Sequence, residues 1–293
     1  MRIAILTTSW PATEEDPAGH FVRASARELL RQGHAVQVVS PPPGGAFGWP
    51  GAAARLRERP LRAIEAARWT WMARAHAARL DAEVVVAHWA VPCAWPIGVA
   101  ARGRLEVVSH GGDVRLLNAL PAAVRNRVAG RIASRASAWT FASERLKHEL
   151  LGGLDARAHE EVVRVASVSA PPLELPDVRE AIARLRRELG VTRAAVVVGR
   201  LVASKRVDRA IEHVARLREV DALVVVGDGP ERSRLERLAR ARGVDAWFVG
   251  AVGRRAALAW IGAAQEVLHA STAEGLSTVV REAEALGTRV VRL

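Results

Sequence analysis

Short β-branched and aliphatic runs alternate with segments of helical periodicity along the whole chain. In the first half the short runs predict strands at Arg2–Thr8, Ala35–Ser40, Glu83–His88, Glu106–His110, Ala138–Ala142 and Val162–Val168. The segments between them predict helices at His20–Gln32, in an Arg/Ala-rich region that ends near Leu80, and at Pro96–Ala101, Ala122–Ser134 and Glu144–Leu151. Strands that alternate with helices in this way are typical of a parallel sheet covered on both faces.

The alternation breaks once, in the segment Ala170–Asp177, which contains three prolines. Because proline fixes φ and lacks a backbone N–H, this segment predicts a linker. After a charged helix at Val178–Leu189, strands are predicted at Ala194–Gly199, Ala222–Gly227, Ala246–Gly250, Glu266–Ala270 and Thr288–Arg292. The fold class is therefore α/β: two doubly wound parallel-sheet domains at 1–170 and 189–293, a linker and connecting helix at 171–188, and a ligand cleft predicted between the domains.

Composition agrees with a globular protein of two ordinary domains, since 50% of the 293 residues are hydrophobic and 25% are charged. Cys93 is the single cysteine, which excludes an intramolecular disulfide and favours a reducing compartment. The N-terminal segment has the pattern of a strand rather than of a signal peptide, and no apolar run reaches the length of a membrane span. These features predict a cytoplasmic protein.

The net charge of +12 raises the question of a polyanionic partner. Zinc-finger spacing, a Lys/Arg tail and an aromatic ladder are missing from the sequence, so nucleic acid is not predicted as a partner. An anionic membrane surface is a candidate partner for the arginines of the first Arg/Ala-rich region, which are Arg55, Arg57, Arg59, Arg62 and Arg68. An ordinary solvated helix face is the alternative for this run.

Two acidic residues near the C-terminal end carry the first candidate chemistry. Glu274 lies in a loop beside Gly275. A helix is predicted to start near Ser277, and Glu282 lies about one turn into it. A helix start offers unpaired N–H groups and a positive dipole end, which suit a phosphate, and flanking carboxylates accept hydrogen bonds from sugar hydroxyls. The pattern predicts a pocket for a nucleotide sugar, with a surface loop acid and a solvated helix acid as the alternative.

A second cluster follows the predicted strand Ala194–Gly199. The loop after this strand carries Arg200 and Lys205, and a helix is predicted from about Val207. Ligands of open α/β sheets bind at such turns, where an arginine forks onto phosphate oxygens and a lysine supplies a point charge. Lysine occurs only at positions 147 and 205, which favours a specific role for Lys205, with chance as the alternative.

Four sets of motifs follow one another over nearly the whole chain. They are Leu6–Pro11 with Ala18–Val22 and Arg31–Val36, then His88–Pro92 with Ser109–Asp113, then Gly199–Lys205 with Val226–Glu231, and finally Glu274–Glu282. In this order they resemble the retaining glycosyltransferases of the GT-B fold, glycosyltransferase family 4. The resemblance implies two Rossmann-like domains and a hexosyltransferase. Such an enzyme moves a sugar from a nucleotide-sugar donor to a carbohydrate or lipid-linked acceptor with retention, using no cofactor and no metal.

In the second domain the resemblance implies donor-binding roles. Arg200 and Lys205 would hold the diphosphate and stabilise the charge that develops on the leaving group. Glu274 would face the donor sugar, and Glu282 would bind the ribose hydroxyls. The backbone amides expected at the phosphate are those of Gly275, Leu276 and Ser277.

In the first domain the resemblance implies three further site residues. Gly19 would let the backbone approach the donor or acceptor closely, His110 would line the cleft near the reacting sugar, and Asp113 would support His110. Each has a structural alternative: a turn glycine, a polar group at a strand end and a helix cap, respectively. His88 and Trp89 are predicted to be core residues at a strand terminus.

Family members continue past the strand that ends here at Leu293, so the second domain is expected to be incomplete at its C-terminal end. This departure keeps two other functions open. One is a non-catalytic nucleotide-sugar-binding or partner subunit, and the other is a nucleotide-sugar epimerase of the same fold.

Overall fold

The computed structural model describes residues 1–16, 18–47, 51–189, 193–217, 220–272 and 276–293. The chain divides into two compact units, the first made of residues 1–13 and 17–172 and the second of residues 14–16 and 173–293. Each unit has its own parallel sheet.

The first unit contains a six-stranded sheet with strands β1 Arg2–Leu6, β2 Ala35–Val39, β3 Val84–His88, β4 Arg104–Ser109, β5 Ala136–Phe141 and β6 Ala166–Val168. The strand order is β2-β1-β3-β4-β5-β6, and all neighbours are parallel. The helices are α1 His20–Arg31, α2 Ala52–Glu58, α3 Arg62–Ala77, α4 Gly112–Asn118, α5 Ala122–Ala133, α6 Glu144–Leu151 and α7 Ala156–Val163. A kinked helical segment at Ala90–Ile97 and a 3-10 turn at Gly98–Ala100 follow β3.

The second unit contains a five-stranded sheet with strands β7 Ala194–Val198, β8 Ala222–Val226, β9 Ala246–Gly250, β10 Glu266–His269 and β11 Arg289–Arg292. The order is β11-β10-β7-β8-β9, again with parallel neighbours throughout. Its helices are α8 Arg179–Leu189, α9 Val207–Arg216, α10 Arg232–Ala241, α11 Arg254–Ala263 and α12 Thr278–Ala285. A 3-10 turn at Ala203–Lys205 lies between β7 and α9.

Alternating residues of the central strands fill two separate apolar layers in the second unit. Val197 and Val225 point to the layer built with α9 and α10, whereas Val196 and Val224 point to the layer built with α11 and α12. The sheet is therefore covered on both faces, which explains why its strands are nearly continuous runs of valine. The connecting helix α8 packs on α11 in the second layer through Ile182.

The fold class predicted from the sequence, two α/β units with doubly wound parallel sheets, is confirmed. One predicted element is wrong in part, because Val162 lies in helix α7 and only Ala166–Val168 is a strand. Asp155 explains the difference: its carboxylate accepts a hydrogen bond from Ala158 N at 2.8 Å and starts a helix that runs through Val162. The helix predicted near Pro96–Ala101 begins earlier, as the kinked segment, and α4 was not predicted.

Candidate functional site

Each sheet has one point where the strand order changes direction. In the first sheet the chain leaves β1 toward β2 and later returns to the other side of β1 with β3. In the second it leaves β7 toward β8 and returns to the other side of β7 with β10. In open α/β sheets the carboxyl ends of strands at such a switch point diverge and leave a crevice for ligands.

The loop that carries Arg200 leaves the switch point of the second sheet and is held by close backbone contact with the turn after β8. Gly199 N donates to Val226 O and Leu201 N donates to Asp228 O, each at 2.9 Å. A Cβ on Gly227 would collide with the carbonyl oxygen of Gly199, so no larger residue allows the two chain segments to approach in this way. The glycine turn therefore fixes the start of the Arg200 loop.

The other end of this loop meets the loop that follows β10. Ser204 O accepts hydrogen bonds from Thr272 N at 3.2 Å and from Ser271 Oγ at 3.3 Å. Burial lowers the pKa of His269, at the end of β10, and the positive charges of Lys205 and Arg292 lower it further. The structure thus brings the Arg200–Lys205 loop beside the segment that leads toward α12.

Two predicted site residues of that segment, Glu274 and Gly275, lie outside the described residues. Leu276 is partly buried, and Ser277 is the N-cap of α12, with its Oγ accepting a hydrogen bond from Val280 N at 3.4 Å. Ser277 thus satisfies one of the first amides of the helix with its own hydroxyl.

Glu282 forms a buried ion pair with Arg254, the first residue of α11. Arg254 Nη1 donates to Glu282 Oε1 at 2.6 Å, and the two side chains are only 7% and 8% exposed. Burial raises the pKa of the Glu282 carboxyl, while the Arg254 charge and hydrogen bond act in the opposite direction. The predicted contact with ribose would therefore have to be made by a carboxylate that already binds an arginine.

Arg254 is a site residue that sequence reasoning missed. Its Nη2 also donates to Glu174 O at 2.8 Å, so the guanidinium is fixed between the linker and α12. It lies 28 positions from Glu282, and an arginine at the start of a helix carries no local sequence signal for such a pair. Only the packing of α11 beside α12 reveals it.

In the first unit, Gly19 lies just before α1 in the left-handed conformation, with φ of 74°. A Cβ at this position would collide with the carbonyl oxygen of Ser9. Both observations require glycine here, so the turn geometry alone accounts for this residue, whatever it binds.

His110 follows β4 and forms a coplanar, hydrogen-bonded pair with His88 at the end of β3. Their ring planes differ by 2°, the ring centroids are 5.2 Å apart, and His88 Nδ1 lies 2.9 Å from His110 Nε2. Phe21 and Trp89 pack against His110, with centroids 4.5 and 5.1 Å away. Burial lowers the pKa of His110 to about 3, and burial together with His110 lowers that of His88, so both rings are neutral near pH 7.

The proton in the shared hydrogen bond can be assigned from the surroundings of His88. Its Nε2 is buried and has no hydrogen-bond partner in the part of the chain that the structure describes. A buried N–H without an acceptor costs more than a lone pair without a donor. This favours the tautomer in which His88 Nδ1–H donates to His110 Nε2, and the proton of neutral His110 then lies on Nδ1.

Asp113 holds the backbone around this histidine pair. Its Oδ1 accepts hydrogen bonds from His110 N at 3.2 Å and Gly111 N at 3.0 Å, and its Oδ2 accepts one from Ala90 N at 2.7 Å. The carboxylate thereby joins the turn after β4 to the turn after β3, where Trp89 has a φ of 76° that is uncommon for a bulky residue. Asp113 is a buried clamp on His110, and His88 is the partner that sequence reasoning had assigned to the core.

The described residues of the two units offer different chemistry. The second unit carries Arg200 and Lys205 in a loop at the switch point of its sheet, hydrogen-bonded to the segment that leads to α12. Cationic side chains and helix N-termini both suit a phosphate. The first unit presents neutral imidazoles suited to hydrogen bonding with hydroxyl groups. Among the described residues, no three His, Cys, Asp or Glu side chains are grouped so that they could hold a metal ion, and no helix there is long and apolar enough to span a membrane.

Sequence comparison gives one family match. Residues 184–292, which include the Arg200 loop, Arg254 and α12, match the model for glycosyl transferases group 1. No curated protein matches the chain.

Solved structures give a match over the whole chain. HepE from Anabaena in complex with UDP has a TM-score of 0.67 at 18% identity, covering 100% of this chain and 80% of that one. Sucrose-phosphate synthase from Thermosynechococcus elongatus has a TM-score of 0.70 at 19% identity, covering 99% and 80%. A trehalose-6-phosphate structure from E. coli, bound with UDP-2-fluoro glucose, has a TM-score of 0.65 at 12% identity, covering 100% and 84%.

At these identities the structural matches establish the fold, which is GT-B. The domain match and the structural neighbours together support a GT-B glycosyltransferase.

Proposed function

We propose that the protein is a retaining glycosyltransferase of family 4 that takes a hexosyl group from a nucleotide-sugar donor. One observation carries the proposal. The loop with Arg200 and Lys205 is hydrogen-bonded, through Ser204, to the segment that leads to the N-terminus of α12, at the switch point of a sheet. Cationic side chains and a helix N-terminus at one edge suit a diphosphate with sugars on both sides. The group 1 match covers all of these residues.

In the proposed reaction the bond between the anomeric carbon of the donor and the diphosphate oxygen breaks. An acceptor hydroxyl forms the new bond on the same face of the sugar, and its proton passes to the departing diphosphate. Arg200 and Lys205 stabilise the negative charge that develops on that leaving group, where fixed cations act most strongly. Glu274 faces the donor sugar, the amides of Gly275, Leu276 and Ser277 bind phosphate, and Glu282 binds ribose while Arg254 orients it.

For the first unit we propose hydrogen-bonding roles. His110 contacts the sugar with its Nδ1–H, Asp113 and His88 fix its backbone and its tautomer, and Gly19 allows close approach of the backbone. The proposed acceptor is a carbohydrate or a lipid-linked acceptor, and the proposed role is in polysaccharide biosynthesis at the cytoplasmic face of a membrane. We expect no metal to be required, so turnover should persist in excess EDTA.

A thermal-shift panel of nucleoside diphosphates and nucleotide sugars tests the donor site first. Binding of a ligand to the folded state raises the melting temperature in proportion to the logarithm of its concentration. UDP, GDP and ADP with their glucose or mannose conjugates would identify the base and the sugar together. No stabilisation by any of them would contradict the proposal.

The chain provides its own matched control for catalysis, since it has only two lysines. Lys205→Ala should lower kcat/KM about 100-fold or more, because a charge aimed at the leaving group is lost. Lys147→Ala, which removes an ion pair with Glu144, should leave it unchanged. Arg200→Ala and Glu274→Gln should behave like Lys205→Ala, with unchanged melting curves.

The same assays separate the other two functions. Stabilisation by a nucleoside diphosphate without consumption of any donor would indicate a non-catalytic nucleotide-sugar binder. Conversion of the donor to an isomer without an acceptor would indicate an epimerase. Turnover equal to that of the wild type in all four variants would contradict the catalytic roles assigned to Lys205, Arg200 and Glu274.

A further inference from the structure

Helix α3 of the first unit presents large apolar side chains to solvent. Leu61, just before the helix, is 78% exposed, Ile64 is 68%, Trp71 is 69% and Met72 is 52% exposed. Spacings of three, four and seven residues place them, with the exposed Arg68, along one side of the helix. We call this set of five residues the α3 face.

The fully buried positions of the same helix are small, and Trp69 is partly buried against Phe47, with ring centroids 5.0 Å apart. Ala73 and Ala77 are its buried positions, and Arg74 Nη1 donates to Pro96 O at 2.8 Å beside them. In the usual distribution the large apolar side chains of a surface helix face the core, whereas most of those on α3 face solvent. Four large apolar side chains that contribute nothing to the core, exposed together on one helix side, indicate an interaction surface.

The charge around the α3 face indicates the kind of partner. Residues 52–80 contain seven arginines and two glutamates, and one of these, Glu58, forms an ion pair with Arg62 at 3.4 Å. The other arginines exposed around the face are Arg57, Arg59 and Arg79. An apolar strip with a tryptophan and a border of arginines matches the boundary between the headgroups and acyl chains of an anionic bilayer.

We propose that the α3 face docks on an anionic lipid bilayer, with Leu61, Ile64, Trp71 and Met72 inserted at the headgroup boundary and the surrounding arginines on lipid phosphates. The inference deepens the proposed function and rests on it for its purpose, since a lipid-linked acceptor is presented at such a surface. Arginine and tryptophan both suit this position, because each has an apolar body and a polar end that reaches the headgroups. Docking itself requires neither donor nor acceptor.

The test is vesicle flotation of the full chain with phosphatidylcholine alone and with about 30 mol% phosphatidylglycerol added. We expect binding to the anionic vesicles and much weaker binding to the neutral ones. The double variant Ile64→Ser/Trp71→Ser should bind anionic vesicles at least about tenfold more weakly, because it loses the inserted side chains. Arg57→Glu/Arg59→Glu should also bind more weakly, and high salt should weaken wild-type binding.

The matched control is Val124→Ser/Val163→Ser, which removes two exposed apolar side chains from helices α5 and α7 of the same unit. It should bind anionic vesicles like the wild type. The proposal would be overturned if the wild type did not bind vesicles. It would also be overturned if Ile64→Ser/Trp71→Ser bound them as strongly as the wild type. The proposal would also be overturned if the wild type associated with itself but not with vesicles, and if Ile64→Ser/Trp71→Ser abolished that self-association. This outcome would assign the face to a second copy of the chain.

Failure of docking and failure of the enzymatic proposal are distinguishable in the same samples. The Ile64→Ser/Trp71→Ser variant should keep the wild-type melting temperature and the wild-type thermal shift with the donor nucleotide. Binding of vesicles without binding of nucleotide would support the docking surface and contradict the enzymatic proposal. Binding of nucleotide without binding of vesicles would support the enzymatic proposal and contradict the docking surface.

Discussion

The two units stabilise polar groups at the carboxyl ends of their strands in opposite ways. In the first unit His88 and His110 are neutral, share a hydrogen bond and are held by a carboxylate that accepts hydrogen bonds from three backbone amides. In the second unit Arg254 and Glu282 bury two full charges against each other. A neutral pair is cheap to bury but changes when protons are added, whereas a buried ion pair depends on the presence of both partners.

The pKa values of the histidine pair and of Glu282 shift in opposite directions, which reflects the same contrast. Burial lowers the pKa of both histidines, because the charged imidazolium is the form that is disfavoured. Burial raises the pKa of Glu282, because its charged form is the carboxylate, and Arg254 compensates this only in part. The first region should therefore respond mainly to acid and the second mainly to the loss of a side chain.

The largest expected effect comes from removing one member of the ion pair. Arg254→Ala leaves the Glu282 carboxylate buried without its partner and should lower the free energy of unfolding by about 3–5 kcal/mol in urea titrations. The neighbouring Arg255→Ala removes an arginine whose side chain is half exposed and should cost less than about 1 kcal/mol. Adding Glu282→Gln to Arg254→Ala should recover part of the loss. Equal destabilisation by the two arginine variants would contradict the buried pair.

The next effect is the loss of stability in mild acid. The folded-state pKa of His110 is about 3 against an ordinary value of 6.5, so the unfolded chain binds the proton first as pH falls through this window. Stability contributed by the neutral ring is complete above pH 6.5 and decreases below it, by about 2 kcal/mol from this residue at pH 5. The raised pKa of Glu282 has the opposite sign, since a proton taken up by the folded state favours folding in acid.

Urea titrations at pH 7 and pH 5 check this prediction. The variant His88→Asn/His110→Asn should lose much of the difference between the two pH values. His76→Asn, at an exposed position on α3, should retain all of it. A difference between the two pH values that His88→Asn/His110→Asn leaves unchanged would show that the histidine pair is not neutral and buried in solution.

The smallest expected effect is on kcat, and it tests whether His88 acts through its hydrogen bond to His110 or only by packing. His88→Phe removes the donor to His110 Nε2 and should lower kcat about tenfold, the value of one hydrogen bond. His88→Asn places an amide N–H where the imidazole Nδ1–H was and should retain most of the turnover. In 15N NMR spectra of His88→Asn, His110 should remain a single tautomer with its proton on Nδ1. In His88→Phe, His110 should no longer be a single tautomer. Equal kcat values for Phe and Asn would indicate packing alone.

Local pattern was enough to predict most of the fold. The strand runs around Val196 and Val224 and the helix that starts at Ser277 were placed within about two residues, because burial on both faces and capping both leave a local signature. The prediction was wrong at Val162, where a capping aspartate seven residues earlier extends a helix over a residue of high strand propensity. It also missed α4 and the first part of the kinked segment after β3.

The candidate site was predictable only where its chemistry is local. Arg200 and Lys205 follow a strand directly, and the motif order indicated His110 and Asp113. Arg254 carries no such signal, and the motif that contains His88 does not indicate its contact with His110, since the two partners lie 28 and 22 positions away. A partner at that distance is selected by how helices and strands pack, which the spacing of residues along the chain does not encode.

The sequence by itself determined the order of strands and helices and which loops carry cations, acids and glycines, because these follow from nearest-neighbour sterics and the periodicity of apolar residues. Tertiary structure decided which buried charge is paired, which nitrogen of His110 carries the proton, and that the large side chains of α3 face outward. Those features depend on desolvation and contact between distant segments, and neither exists until the chain has folded.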